Sequence, residues 1–194
     1  MKTVGFATPR GSHIKYLGLA LPSDCTAPNA YILYFRHTAN PSDYPNDESL
    51  LKLGIGDMLA GRMQFARQIS ASGKNVAVVT PMGLSHLGEF TQSPEYIENC
   101  LHSIEDYLGC GGQELPPLLL ACYSDGIGEL NKFLTNCGRL LPKVRAIYDF
   151  DGSLVLRFRN VNFSQARGAQ IIRYNGTVIP GCMLTHGLSA TPGL

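Results

Sequence analysis

The chain has 194 residues, enough for one domain with a substantial core, and its 44% apolar against 16% charged residues exclude a disordered chain. The formal net charge is +1, so no global attraction to nucleic acid arises. Charge is uneven along the chain: residues 1–138 carry 9 Lys+Arg and 13 Asp+Glu, while residues 139–194 carry 7 and 2, which reads as a few solvated arginines around a pocket mouth.

Six cysteines (Cys25, Cys100, Cys110, Cys122, Cys137 and Cys182) are scattered with no Cys-x-x-Cys pair, so metal-ligand spacing is absent and no metal is expected. Residues 1–13 lack a basic region followed by an apolar run, and no stretch is long enough for a membrane span. The expectation is a cytoplasmic protein with reduced thiols.

In chain order, Tyr16–Leu21 reads as an early strand closed by Pro22, and the first thirty residues are otherwise poorly patterned. Tyr31-Ile32-Leu33-Tyr34-Phe35 is aromatic and β-branched, a strand, followed by a polar loop from Arg36 through Asp47. A helix is expected from the 53–57 region to about Ser70, with Ile55, Leu59, Ala66 and Ile69 on one side and Gly73 as its stop. Asn75–Thr80 is a second strand, ended by Pro81-Met82-Gly83. Ser93-Pro94-Glu95 combines a capping serine, proline at the first helical position and an acid in the first turn. Ile97, Leu101, Ile104 and Leu108 mark the buried face of that helix, and Gly109 its end.

Leu118-Leu119-Leu120-Ala121 reads as a strand buried on both faces, as parallel sheets require. Cys122-Tyr123-Ser124-Asp125-Gly126 then turns into a stretch in which Ile127, Leu130, Leu134, Cys137 and Leu141 recur at helical spacing. Val144–Tyr148 is a further strand ending at Asp149-Phe150-Asp151-Gly152, and Ala169–Tyr174 another, closed by Asn175-Gly176. Strand and helix alternate from Tyr31 to Tyr148. The expected fold is therefore α/β, a mainly parallel sheet flanked by helices in a three-layer sandwich, as a single domain over 1–194.

A serine at a tight strand-to-helix turn is the setting of a nucleophile elbow, and this stretch resembles the α/β-hydrolase signature, with Cys122 where that family usually has its first glycine. The layout over roughly residues 30–150 is similar to the same superfamily, whose members include serine esterases and lipases. The resemblance implies a hydrolase with a small-molecule acyl or ester substrate, a Ser-His-Asp triad, no cofactor and no nucleic-acid partner. It assigns the nucleophile to Ser124. His186, the only histidine after Ser124, takes the base position. The triad acid is Asp151 or Asp149, the carboxylates after the strand that follows the nucleophile, with Asp151 favoured as nearer the loop. The resemblance further implies an oxyanion hole from the Asp125 N–H and an N–H in the loop after Tyr31–Phe35, at Ala39 or Thr38.

Two alternatives use the same letters. Arg36-His37-Thr38 with Thr80-Pro81 and Thr185-His186-Gly187 resembles a histidine phosphatase, in which His37 accepts the phosphoryl group and Arg36 and His186 bind it. A non-catalytic binding protein on a hydrolase scaffold is the other.

Overall fold

Successive side chains of a strand point to opposite faces, and β-strands such as Leu118–Tyr123 are apolar at nearly every position, so they feed both faces of one sheet. The computed structural model describes residues 1–8, 14–36, 44, 46–52, 59–61, 64–83, 86–112, 114–150, 161, 163–174 and 188–191. Among these, β1 (Lys2–Ala7), β2 (Ile14–Leu21), β3 (Ala30–Phe35), β4 (Val76–Gly83), β5 (Leu118–Tyr123), β6 (Val144–Phe150), β7 (Gln170–Tyr174) and β8 (Leu188–Thr191) form one sheet of eight strands, ordered β1-β2-β4-β3-β5-β6-β7-β8. The central pairs from β4 through β7 are parallel, and β1–β2, β2–β4 and β7–β8 are antiparallel.

Among the described residues four α-helices accompany the sheet: α1 (Asp47–Leu51), α2 (Phe65–Ser72), α3 (Pro94–Leu108) and α4 (Ile127–Asn136). Leu33 and Phe35 of β3, Val79 of β4 and Leu120 and Cys122 of β5 pack with Ile97, Leu101 and Ile104 of α3 and Leu130 and Leu134 of α4. On the other face Tyr34, Val78 and Ala121 meet Ala66 and Ile69 of α2. The molecule is thus an α/β fold, a mostly parallel sheet flanked by helices, as the strand–helix alternation requires.

The start of α3 follows its local chemistry. Ser93 Oγ accepts the Tyr96 N–H at 3.2 Å, Pro94 stands first in the helix, and Gly109 ends it at φ +78°. Where the structure departs from the sequence pattern, backbone geometry is the cause. The single helix expected from the 53–57 region to about Ser70 is not continuous, because Gln64 sits at φ +48°, outside right-handed helical space, and α2 begins only at Phe65. The shorter α1 lies upstream, opened by a reciprocal cap: the Ser49 N–H donates to Asn46 Oδ1 at 2.9 Å and the Asn46 N–H to Ser49 Oγ at 3.3 Å.

The strand β4 does not stop at Pro81 but runs to Gly83. Its pairing with β3 ends at Leu33↔Val79, so Pro81 has only β2 as a neighbour and its missing N–H is tolerated. Likewise α4 ends at Asn136, and Leu141 falls in a 3-10 segment containing Pro142. The edge strands β1 and β8 were not visible in the sequence pattern.

Removing the α3 cap tests the reading of its start. Ser93→Ala is expected to lower stability by about 1 kcal/mol, seen as a lower urea midpoint with an unchanged slope.

Candidate active site

The strand β5 ends at Tyr123, Ser124–Gly126 forms one 3-10 turn, and α4 starts at Ile127. Ser124, half-buried, occupies this corner at φ +52°. A side-chain-bearing residue in left-handed space costs about 1–2 kcal/mol, and such strain concentrates at functional sites. The serine is not there as an ordinary helix cap: the α4 N-cap position belongs to Gly126, and neither turn has a side-chain capping bond.

Gly126 explains how sharp the corner is. A Cβ placed there would lie 2.2 Å from the Phe35 carbonyl oxygen and 2.7 Å from that of Arg36. Only the absent side chain lets the start of α4 press against the carboxyl end of β3. The rings of Phe35 and Phe133, with centroids 5.6 Å apart, hold the helix on the same strand. Phe35 and Arg36 therefore lie beside the serine corner.

Beneath the corner lies a buried polar pair. Cys122 and Asp149 face each other across β5 and β6, and the Cys122 thiol donates to Asp149 Oδ1 at 3.8 Å. Asp149 is 1% exposed and Cys122 fully buried. Burial, and then the neighbouring Asp149 carboxylate, push the Cys122 thiol far up from its ordinary range. Tyr123 pairs with Phe150, so Asp149 sits two residues below the level of Ser124, roughly 7 Å along the strand.

Two charged groups frame the corner: Arg36, which the sequence offered only as a phosphoryl-binding residue, and Glu129, which it did not single out. Arg36, 3% exposed, donates from its guanidinium to the Gly83 carbonyl at the end of β4. Burial pulls its pKa down, while Tyr44, Tyr34, Asp125 and Glu129 oppose that fall. This placement ties Arg36 to the backbone at the end of β4. Glu129, in the first turn of α4, accepts hydrogen bonds from Leu87 and Thr91. An acid in a first turn signals only a favourable helix dipole, and no local pattern points to a partner 42 residues away.

Of the residues expected at the site, the structure places Ser124 and Asp125 at the corner and Asp149 below it. His186, Asp151, Thr38, Ala39 and His37 lie outside the described residues. No group of three or more His, Cys, Asp or Glu able to hold a metal occurs among the described residues.

The corner and the buried thiols each lead to a measurable outcome. Gly126→Ala is expected to cost about 3 kcal/mol, the upper part of the overpacking range, because backbone carbonyls cannot yield; chemical denaturation measures it. Under limiting iodoacetamide at pH 8 the half-exposed Cys25 and Cys110 are expected to react in the native protein. Cys122 and the buried Cys100 and Cys137, whose pKa values burial raises to about 11 and about 12, are expected to react only after unfolding, as peptide mass mapping reads.

No protein-family model matches the chain, and no curated protein matches it in sequence. Solved structures do. The rice cell wall degrading esterase LipA from Xanthomonas oryzae matches at 14% identity and a TM-score of 0.42, over 75% of this chain and 40% of that one. The carboxylesterase CesB from Bacillus subtilis matches at 13% and 0.34, over 79% and 44%. A proline iminopeptidase-related protein from Thermus thermophilus matches at 13% and 0.35, over 76% and 44%. The chain spans less than half the length of each of these proteins.

Proposed function

We propose that the protein is a serine hydrolase that cleaves an ester, thioester or related acyl bond through an acyl-enzyme. The observation that carries this reading is the left-handed φ of +52° at Ser124, on a corner that a side-chain-free Gly126 presses against β3. Nothing in the packing of a sheet calls for a serine there, and glycine would hold the same conformation at lower cost.

In this mechanism Ser124 Oγ attacks the substrate carbonyl carbon while the His186 imidazole takes its proton. Asp151 orients that imidazole. Asp149 is the alternative, less favoured because it is buried against Cys122 below the level of the corner. Negative charge on the carbonyl oxygen meets the Asp125 N–H and an N–H from the loop after β3, at Ala39 or Thr38. The approach of Gly126 to the Phe35 and Arg36 carbonyls supports that second donor, since it brings Arg36, which shortly precedes Thr38 and Ala39 in the chain, to the corner. Each such donor is worth about 3 kcal/mol in the transition state. The tetrahedral adduct collapses, and the leaving alcohol or thiol departs with the proton from the imidazolium. Water, deprotonated by the same imidazole, then attacks the acyl-enzyme and restores Ser124.

A fluorophosphonate probe tests the proposal. Labelling is expected in the wild type and lost in Ser124→Ala. In Ser124→Gly labelling is also lost, while stability rises by about 1 kcal/mol as left-handed strain is relieved. Phosphatase activity that survives Ser124→Ala and disappears in His37→Ala would assign the site to phosphoryl transfer instead. Absence of both activities would leave a binding protein.

A further inference from the structure

Glu129 is bonded beyond what an acid at a helix start needs. Its side chain is 14% exposed. Oε2 accepts the Leu87 N–H at 3.3 Å and the Thr91 hydroxyl, shared with the Gly88 carbonyl, at 3.2 Å, and Oε1 accepts from Lys132 Nζ at 2.7 Å. At the far end of α4, Asn136 Nδ2 donates to the Thr91 carbonyl at 3.3 Å. At the near end of the same segment, Arg36 donates to the Gly83 carbonyl. The segment 86–91 is thus tied to α4, and Gly83 at the end of β4 to Arg36, the residue that follows β3; α4 and β3 make the serine corner.

The sheet order gives these ties a purpose. Both β4 and β5 flank β3, so their carboxyl ends stand about 10 Å apart on the same end of the sheet. Ligands of parallel α/β sheets bind in the crevice at that end. Packing alone does not require the carboxylate, because Leu87 and Phe90 already anchor the segment in the core, at 3% and 0% exposure. A nearly buried carboxylate costs desolvation free energy, which only its hydrogen bonds offset.

We propose that Glu129 is a positioning residue for substrate specificity: it fixes the segment 86–91 against α4 as one wall of the acyl pocket. The length of acyl chain that the site accepts then depends on this carboxylate. The inference rests on the serine-hydrolase reading above. Its mechanism needs only acceptor atoms on residue 129, so the amide oxygen of a glutamine serves where an alanine fails.

The experiment compares wild type, Glu129→Ala, Glu129→Gln and Lys132→Ala on p-nitrophenyl esters from acetate to decanoate. In Glu129→Ala, KM is expected to rise about tenfold for hexanoate and longer chains but less than about twofold for acetate, with kcat kept within about threefold. Glu129→Gln is expected to stay near wild type at every length, and Lys132→Ala to match wild type. Hydrogen exchange of the peptide covering 86–91 is expected to quicken in Glu129→Ala and not in Glu129→Gln. Where Glu129→Ala does not fold, Thr91→Val removes one donor, keeps the carboxylate and is expected to show the same shift at smaller size. An unchanged chain-length profile in a labelled, active enzyme overturns the proposal, as does a glutamine variant as impaired as the alanine one, or unaltered exchange at 86–91. A wild type that neither labels with fluorophosphonate nor turns over any ester removes the hydrolase reading itself and the pocket wall with it.

Discussion

The molecule depends on a contact that leaves no space for a side chain. Gly126 lies so close to the carbonyls ending β3 that α4 must start at once, and Ser124 must absorb the reversal in left-handed space. Packing decides whether the chain tolerates this. Strain at Ser124 is about 1–2 kcal/mol, whereas burying a side chain such as Ile127, Leu130, Phe133 or Leu134 contributes about 1.5–3 kcal/mol apiece. All four are essentially buried on the helix that the corner delivers to the sheet. The helix face outweighs the strained residue, so the packing of α4 on the sheet holds the corner in place.

That balance also explains which parts of the fold were legible in the sequence. The strand at Leu118–Tyr123 and the helix after it advertise themselves through burial, three leucines in a row and then apolar residues at helical spacing. The α3 start was legible because Ser93, Pro94 and Gly109 each act locally. The α2 boundary was not, since a left-handed Gln64 has no sequence signature of the kind a glycine gives. Pro81 misled for a related reason. A proline ends a strand only where a strand on its N–H side needs that donor, and whether β3 extends that far is a property of the sheet. The edge strands β1 and β8 gain their shape from one neighbour each.

At the site the same division holds. The strand-to-helix corner at Ser124 was legible because it is a local object. The roles of Arg36, Glu129 and Asp149 were not, because each reaches a partner distant in the chain, at separations of 47, 42 and 27 residues. The contrast is Glu105, also nearly buried at 3%, whose partner His102 stands three residues away on α3 at 2.9 Å. Glu105 stabilises its own helix and says little about tertiary arrangement.

Long-range polar ties of this kind are a poor route to stability, since well-packed apolar residues of similar volume serve as well or better. They differ from apolar contacts in being directional. A leucine tolerates a shift of an ångström within its cavity, whereas a carboxylate accepting two donors at 3.2–3.3 Å does not. Arg36, Glu129 and Asp149 join β3 to β4, α4 to the segment after β4, and β6 to β5. Placed around the serine corner, they hold neighbouring backbones in register, the accuracy that the proposed chemistry at Ser124 would need. Local and global preferences conflict there: the backbone of Ser124 is strained, and the packing of α4 holds it so.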